Sequence, residues 1–167
     1  QIVSSGGNAT VNGTVFQDNF TITGNELVEV NGTAFNQVTT VDAKATGDDD
    51  TVSGSNTWNL LASGFESNGI SFLNTEVANS TVDGTVNGTP SKDDFIITGT
   101  KSVEIRGTTF NQVTTVDAKT TGDDDMVSGS NTWSLLVSGF ESNGISFLNT
   151  ETANSAIDGT VVTWLKA

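Results

Sequence analysis

The sequence has no cysteine, no histidine and no tyrosine, and a single proline. Without cysteine no disulfide can staple the fold, and no thiol nucleophile exists. Without histidine there is no His-based catalytic triad. Basic residues are scarce: six Lys and Arg stand against twenty Asp and Glu, for a net charge of −14. A nucleic-acid binder needs cations to replace phosphate counterions, so nucleic acid is excluded as a partner. Adsorption to anionic lipid is disfavoured for the same reason. No apolar run approaches the ~20 residues of a membrane-spanning helix, so no membrane insertion is expected. Helical spacing is absent too, apart from Trp58-Asn59-Leu60-Leu61, which is too short to count.

What remains is rich in Thr, Asn, Ser, Gly, Val and Asp. Val and Thr suit a pleated, half-buried surface, while Gly, Asn and Asp supply tight turns. The mixture predicts an all-β protein of many short strands. Short alternating runs agree: Thr21-Ile22-Thr23, Val28-Glu29-Val30, Val38-Thr39-Thr40-Val41 and Ile70-Ser71-Phe72. Asn-Gly occurs at 12, 31, 68, 87 and 143, each a hairpin or corner signal.

An internal repeat dominates the chain. Phe35–Glu76 and Phe110–Glu151 are 42-residue segments that differ at four positions: Ala45/Thr120, Thr51/Met126, Asn59/Ser134 and Ala62/Val137. The offset is 75 residues, which divides the chain into copy one (1–75), copy two (76–150) and a partial third (151–167), the last in phase with 1–17. A weaker half-period is marked by TVNG at 10–13, TVSG at 51–54, TVNG at 85–88 and MVSG at 126–129. Two architectures fit. One is a parallel β-solenoid of about four rungs, each of roughly 34–41 residues, forming a single repeat domain over 1–167. The other is two tandem β-sandwiches. The half-period, the thin apolar content of 34% and the absence of a linker around 77–94 favour the solenoid.

The motifs TVxG, DDFxITG, VxVNGxxF, VxxVDA and GDDDTVSG resemble tandem repeats of large bacterial exoproteins, the haemagglutinin-like and calcium-associated adhesins. The resemblance covers nearly the whole chain and implies secretion, a stacked β fold and an adhesive or surface-layer role. This chain carries two copies where those proteins carry many. Its first residue, Gln1, is not a translation start. The expectation is an N-terminus made by cleavage, with removal of a secretion signal as the simplest route. Extracellular or cell-surface localisation follows from both points.

Candidate site residues are few. Asp48, Asp49 and Asp50, with Asp123, Asp124 and Asp125, offer carboxylates that suit calcium, and GDDDTVSG partly resembles the calcium nonapeptide. A solvated acidic corner explains the same residues, so both readings stay open. If rungs stack, Asp83 and Asp158 fall near these clusters. Asn8, Asn12, Asn19, Asn31 and Asn79 sit in glycosylation sequons, as does Asn87, which Pro90 closely follows. Trp58, Trp133, Phe65, Phe140, Phe72 and Phe147 recur in step, which fits a core better than a sugar-stacking row. Trp164 and Leu165 form a bulkier tip than the matching segment Val15-Phe16, and are candidates for a cap or for contact with a neighbouring chain.

An enzyme is not expected. A polysaccharide-active β-helix would need a singular site, whereas the repeats are nearly identical and the one arginine, Arg106, replaces Asn31 of copy one. The leading expectation is a structural surface protein that binds itself head to tail as a fibre or surface-layer subunit. The alternative is a calcium-stabilised adhesin module that holds a glycan or a host surface.

Overall fold

The computed structural model describes residues 2–44, 49–119 and 124–163, with side chains described from 6 to 155 within those spans. The chain is all-β and winds as a β-solenoid of about five turns. That is one turn more than the expected four. Copy one supplies β1 (Ile2–Asn12), β2 (Asn19–Gly24), β3 (Leu27–Val30), β4 (Thr33–Asp42), β5 (Thr51–Leu60), β6 (Phe65–Ser67) and β7 (Ile70–Leu73). Copy two supplies β8 (Val77–Asn87), β9 (Asp94–Gly99), β10 (Ser102–Ile105), β11 (Thr108–Asp117), β12 (Met126–Leu136), β13 (Gly139–Ser142) and β14 (Ile145–Leu148). The partial third copy supplies β15 (Thr152–Thr163).

The pairings build two ladders. The first halves of the long strands, with two hairpins, stack in the order β1–β4–β3–β2–β5–β8–β11–β10–β9–β12–β15. The second halves stack as β1–β4–β7–β6–β5–β8–β11–β14–β13–β12–β15. Long strands therefore pair in parallel, and antiparallel hairpins fill the layers between them. At ~4.8 Å per layer the stack is about 50 Å long. Copy joins copy through β5–β8–β11 within one continuous sheet, which excludes the tandem sandwiches.

Local sequence explains the turns. Asn31-Gly32, Asn68-Gly69 and Asn143-Gly144 each carry two positive φ values and close β3–β4, β6–β7 and β13–β14. That is the backbone a two-residue hairpin needs, and Asn and Gly tolerate it best. Arg106-Gly107 does the same at β10–β11, where Arg106 holds φ 51. Each long strand bends where its register shifts, as at Ser53–Thr57 of β5. Gly54 has φ +94 there, and a Cβ would lie 2.2 Å from the Ile22 carbonyl oxygen, so only glycine fits.

Inward residues form a single core down the stack. Val52, Ala78, Phe110 and Val103 follow one another across β5, β8, β11 and β10. In the other ladder Val41, Phe72, Phe65 and Leu60 do the same. Phe65 stacks on Phe72 at 5.3 Å and meets Trp58 edge-on at 5.6 Å. Such pairs add about 0.5–1.5 kcal/mol beyond their area burial. The recurring aromatics Trp58, Trp133, Phe65, Phe140, Phe72 and Phe147 are all buried, so they are core residues.

Candidate functional site

The junction between copies is the most elaborated part of the molecule. There β8 lies between β5 and β11. Ser80 and Gly84 make a bulge in β8: a Cβ at Gly84 would lie 2.0 Å from Ser80 Oγ. The bulge aims Ser80 Oγ at the core, where Trp58 Nε1 donates to it at 2.9 Å. Asn111 of β11 donates to Asn79 Oδ1 at 3.0 Å, and Thr108 Oγ1 donates to the Thr75 carbonyl at 2.8 Å. Small Ala78 stands opposite Phe110, and the Phe110 ring crosses into copy one. It meets Phe65 at 5.2 Å and Trp58 at 6.2 Å and is 0% exposed.

Arg106 completes the junction. Its Nη2 donates to the buried Asp93 carboxylate at 2.5 Å and its Nη1 to the Leu61 carbonyl at 2.6 Å. Beside it Leu60, Leu61 and Ala62 face Thr89, Pro90 and Ser91 across a groove of about 440 Å³. Arg106 is not repeated, since Asn31 stands at its position in copy one; that difference is the sequence signal for a junction that occurs once among the described residues.

The two surfaces that meet here are bare at the ends of the stack. Phe35, the counterpart of Phe110, is only half-buried, and Thr33, the counterpart of buried Thr108, is half-exposed. Thr14 is exposed where Thr89 is buried. Val15 and Phe16 stand out into solvent, Phe16 at 74% exposure. At the other end Leu60 at 7% becomes Leu135 at 47%, and Leu136 and Val137 are exposed as well. Ala78 is buried and its counterpart Ala153 is exposed. Trp133 meets Phe140 and Phe140 meets Phe147, both at 5.4 Å. Among the described residues no ring takes the place that Phe110 takes in copy one. No described strand pairs with the outer edge of β1 or of β15.

The two described aspartates of each acidic triplet differ in burial. Just before β5 and β12, Asp50 and Asp125 are fully buried, while Asp49 and Asp124, both at positive φ, are exposed. Asp50 Oδ1 accepts the Asp18 backbone N–H at 2.6 Å, and the Asp50 N–H donates to Glu76 Oε2 at 3.0 Å. Copy two repeats this with Asp93, Asp125 and Glu151, at 2.6 and 2.9 Å. These carboxylates tie one turn of backbone to the next. Asp48 and Asp123 lie outside the described residues. Among the described residues no group of three Asp or Glu is placed to hold a metal. Asp83 sits in the β8 bulge and pairs with Lys101 at 3.1 Å, and the Asp158 side chain is not among those described.

The sequons fall on the outer surface of the first turns. Asn8, Asn12, Asn19 and Asn31 are exposed. Asn79 is half-buried and bonded to Asn111, while Asn87 is buried and donates to Asn59 Oδ1 at 2.7 Å. Trp164 and Leu165 lie outside the described residues. By the 75-residue offset their positions correspond to Thr89 and Pro90. No family model matches the chain, and no curated protein and no solved structure matches it.

Proposed function

We propose that the chain is a non-catalytic structural subunit of an extracellular or cell-surface fibre or layer, which its copies build by stacking head to tail. The observation that supports this reading is the seat of Phe110. Inside the chain it is closed off by Trp58 and Phe65 of the preceding copy. The two halves of the same arrangement lie apart: half-buried Phe35 near one end, and Trp133 with Phe140, both buried, near the other. Stacking a second copy on the first carries the sheet on from chain to chain, as β5–β8–β11 carries it from copy one to copy two. Such a contact joins unlike surfaces, and it propagates as an open filament unless it closes into a ring. The net charge of −14 keeps the sides of the stack soluble while the ends carry the apolar contact. The resemblance to exoprotein repeats supports a surface location.

Light scattering and negative-stain imaging of the purified chain test the proposal, first in calcium and then in chelator. Filaments, or masses far above 17.3 kDa that grow with concentration, are expected. A single species of that mass at every concentration refutes it. Loss of filaments in chelator alone would assign calcium a place at the exposed Asp49 and Asp124 corners.

A further inference from the structure

The strands β1, β8 and β15 are three versions of one strand, and they are not equally suited to a junction. The register of β15 on β12, with Thr152 opposite Met126, is that of β8 on β5, with Val77 opposite Thr51. The register of β1 on β4, with Ile2 opposite Ala34, is that of β8 on β11, with Val77 opposite Thr109. At one edge β15 therefore occupies the β8 position, and at the other end β4 receives β1 as β11 receives β8.

The residues that make β8 work are kept in β15 and altered in β1. Ala78, Asn79, Ser80 and Gly84 have the counterparts Ala153, Asn154, Ser155 and Gly159 in β15. In β1 the counterparts are Val3, Ser4, Ser5 and Ala9. β1 makes the same register shift on β4, but a Cβ at the Gly84 position would lie 2.0 Å from the Ser80 hydroxyl, so Ala9 does not suit a serine turned as Ser80 is. The Ser155 bulge of β15 is already formed on one side, where Trp133 Nε1 donates to Ser155 Oγ at 2.9 Å. On its other side β15 offers Ala153 and Asn154. These are the two residue types that Phe110 and Asn111 face across β8, and their counterparts in β4 are Phe35 and Asn36.

We infer that β1 is a replaceable strand: in the assembled stack the β15 of one chain pairs with β4 of the next and displaces its β1. This rests on the head-to-tail reading above and specifies its joint. The resulting order, β12–β15–β4, reproduces β5–β8–β11 with the same small residue under the same phenylalanine. Stacking with β1 left in place would instead insert an extra layer, and would separate Phe35 of one chain from Trp133 of the other by two strands.

The absence of native cysteine allows a clean test. Chains carrying Asn154→Cys and Asn36→Cys singly are mixed during assembly and oxidised. Adjacent parallel strands, at ~4.8 Å, lie within disulfide reach, whereas strands two layers apart, at about 9.6 Å, do not. A disulfide-linked dimer of 154 with 36 is expected, forming at least tenfold faster than one of Asn154→Cys with Ser4→Cys. Thr152→Cys with Ala34→Cys, against Thr152→Cys with Ile2→Cys, repeats the comparison should Asn36→Cys disturb folding. Cross-linking to 4 and 2 in place of 36 and 34 overturns strand displacement but leaves head-to-tail stacking standing. Polymers that cross-link in neither way also overturn it. A monomer by light scattering with no cross-link fails the stacking proposal itself.

Discussion

Phe35 and Phe110 are the same residue in the same local sequence, TxFNQVTTVD, so substituting each by alanine isolates what the junction contributes. Phe110 is fully buried between Phe65, Trp58 and Ala78. Emptying that site should cost about 3–5 kcal/mol of folding stability, as large-to-small core substitutions do. Phe35 is only half-buried in the single chain, so the same change should cost roughly half as much, about 2 kcal/mol. The missing portion is what the assembled junction would supply. At about 2 kcal/mol per joint, Phe35→Ala should raise the concentration needed for polymerisation roughly 30-fold. Urea denaturation below the polymerisation threshold gives the first quantity, and sedimentation across a concentration series gives the second. The reasoning fails if Phe35→Ala destabilises the single chain as much as Phe110→Ala, or if it leaves the threshold unchanged.

Arg106→Ala should destabilise the chain by about 1–3 kcal/mol, because it leaves the buried Asp93 carboxylate without its cation, bonded only to Thr89; adding Asp93→Asn should recover part of that loss in urea melts. Trp58→Phe, which removes the bond to Ser80 Oγ, should cost about 1–3 kcal/mol by the same measurement. Gly54→Ala should prevent folding or lower stability by more than about 2 kcal/mol, since it adds positive-φ strain to a carbonyl clash; unchanged circular-dichroism melting would contradict this. Asp50→Ala should cost about 1–3 kcal/mol in calcium-free buffer through its lost backbone bond, while Asp49→Asn should stay within about 0.5 kcal/mol. If calcium raises the melting temperature of the native chain but not of Asp49→Asn, the exposed corner is its site.

The repeat, its 75-residue offset and the Asn-Gly hairpins were legible because each is written in consecutive residues. The antiparallel inserts were not. β3, β6 and β7 are three or four residues long, and a strand that short shows alternation without naming its partner. Within GDDDTVSG the neighbouring aspartates also take different places. Adjacent aspartates look alike in sequence, but the left-handed backbone at Asp49 just before β5 leaves that side chain in solvent while Asp50 is buried.

The junction surfaces were hidden for a deeper reason. Leu60 and Leu135 have nearly the same neighbours in sequence, as do Phe35 and Phe110, yet one of each pair is buried and the other is not. No reading of local pattern can separate them, because burial there depends on which copy lies next in the stack. That dependence is itself the functional argument. A repeat that leaves Leu135 and Val137 exposed and Phe35 half-buried gains further burial when another repeat stacks on it. The asymmetry between β15, which keeps Ala153, Asn154 and Gly159, and β1, which has Val3, Ser4 and Ala9, then gives the contact a direction. One end holds a strand suited to the joint and the other holds a strand suited to being replaced.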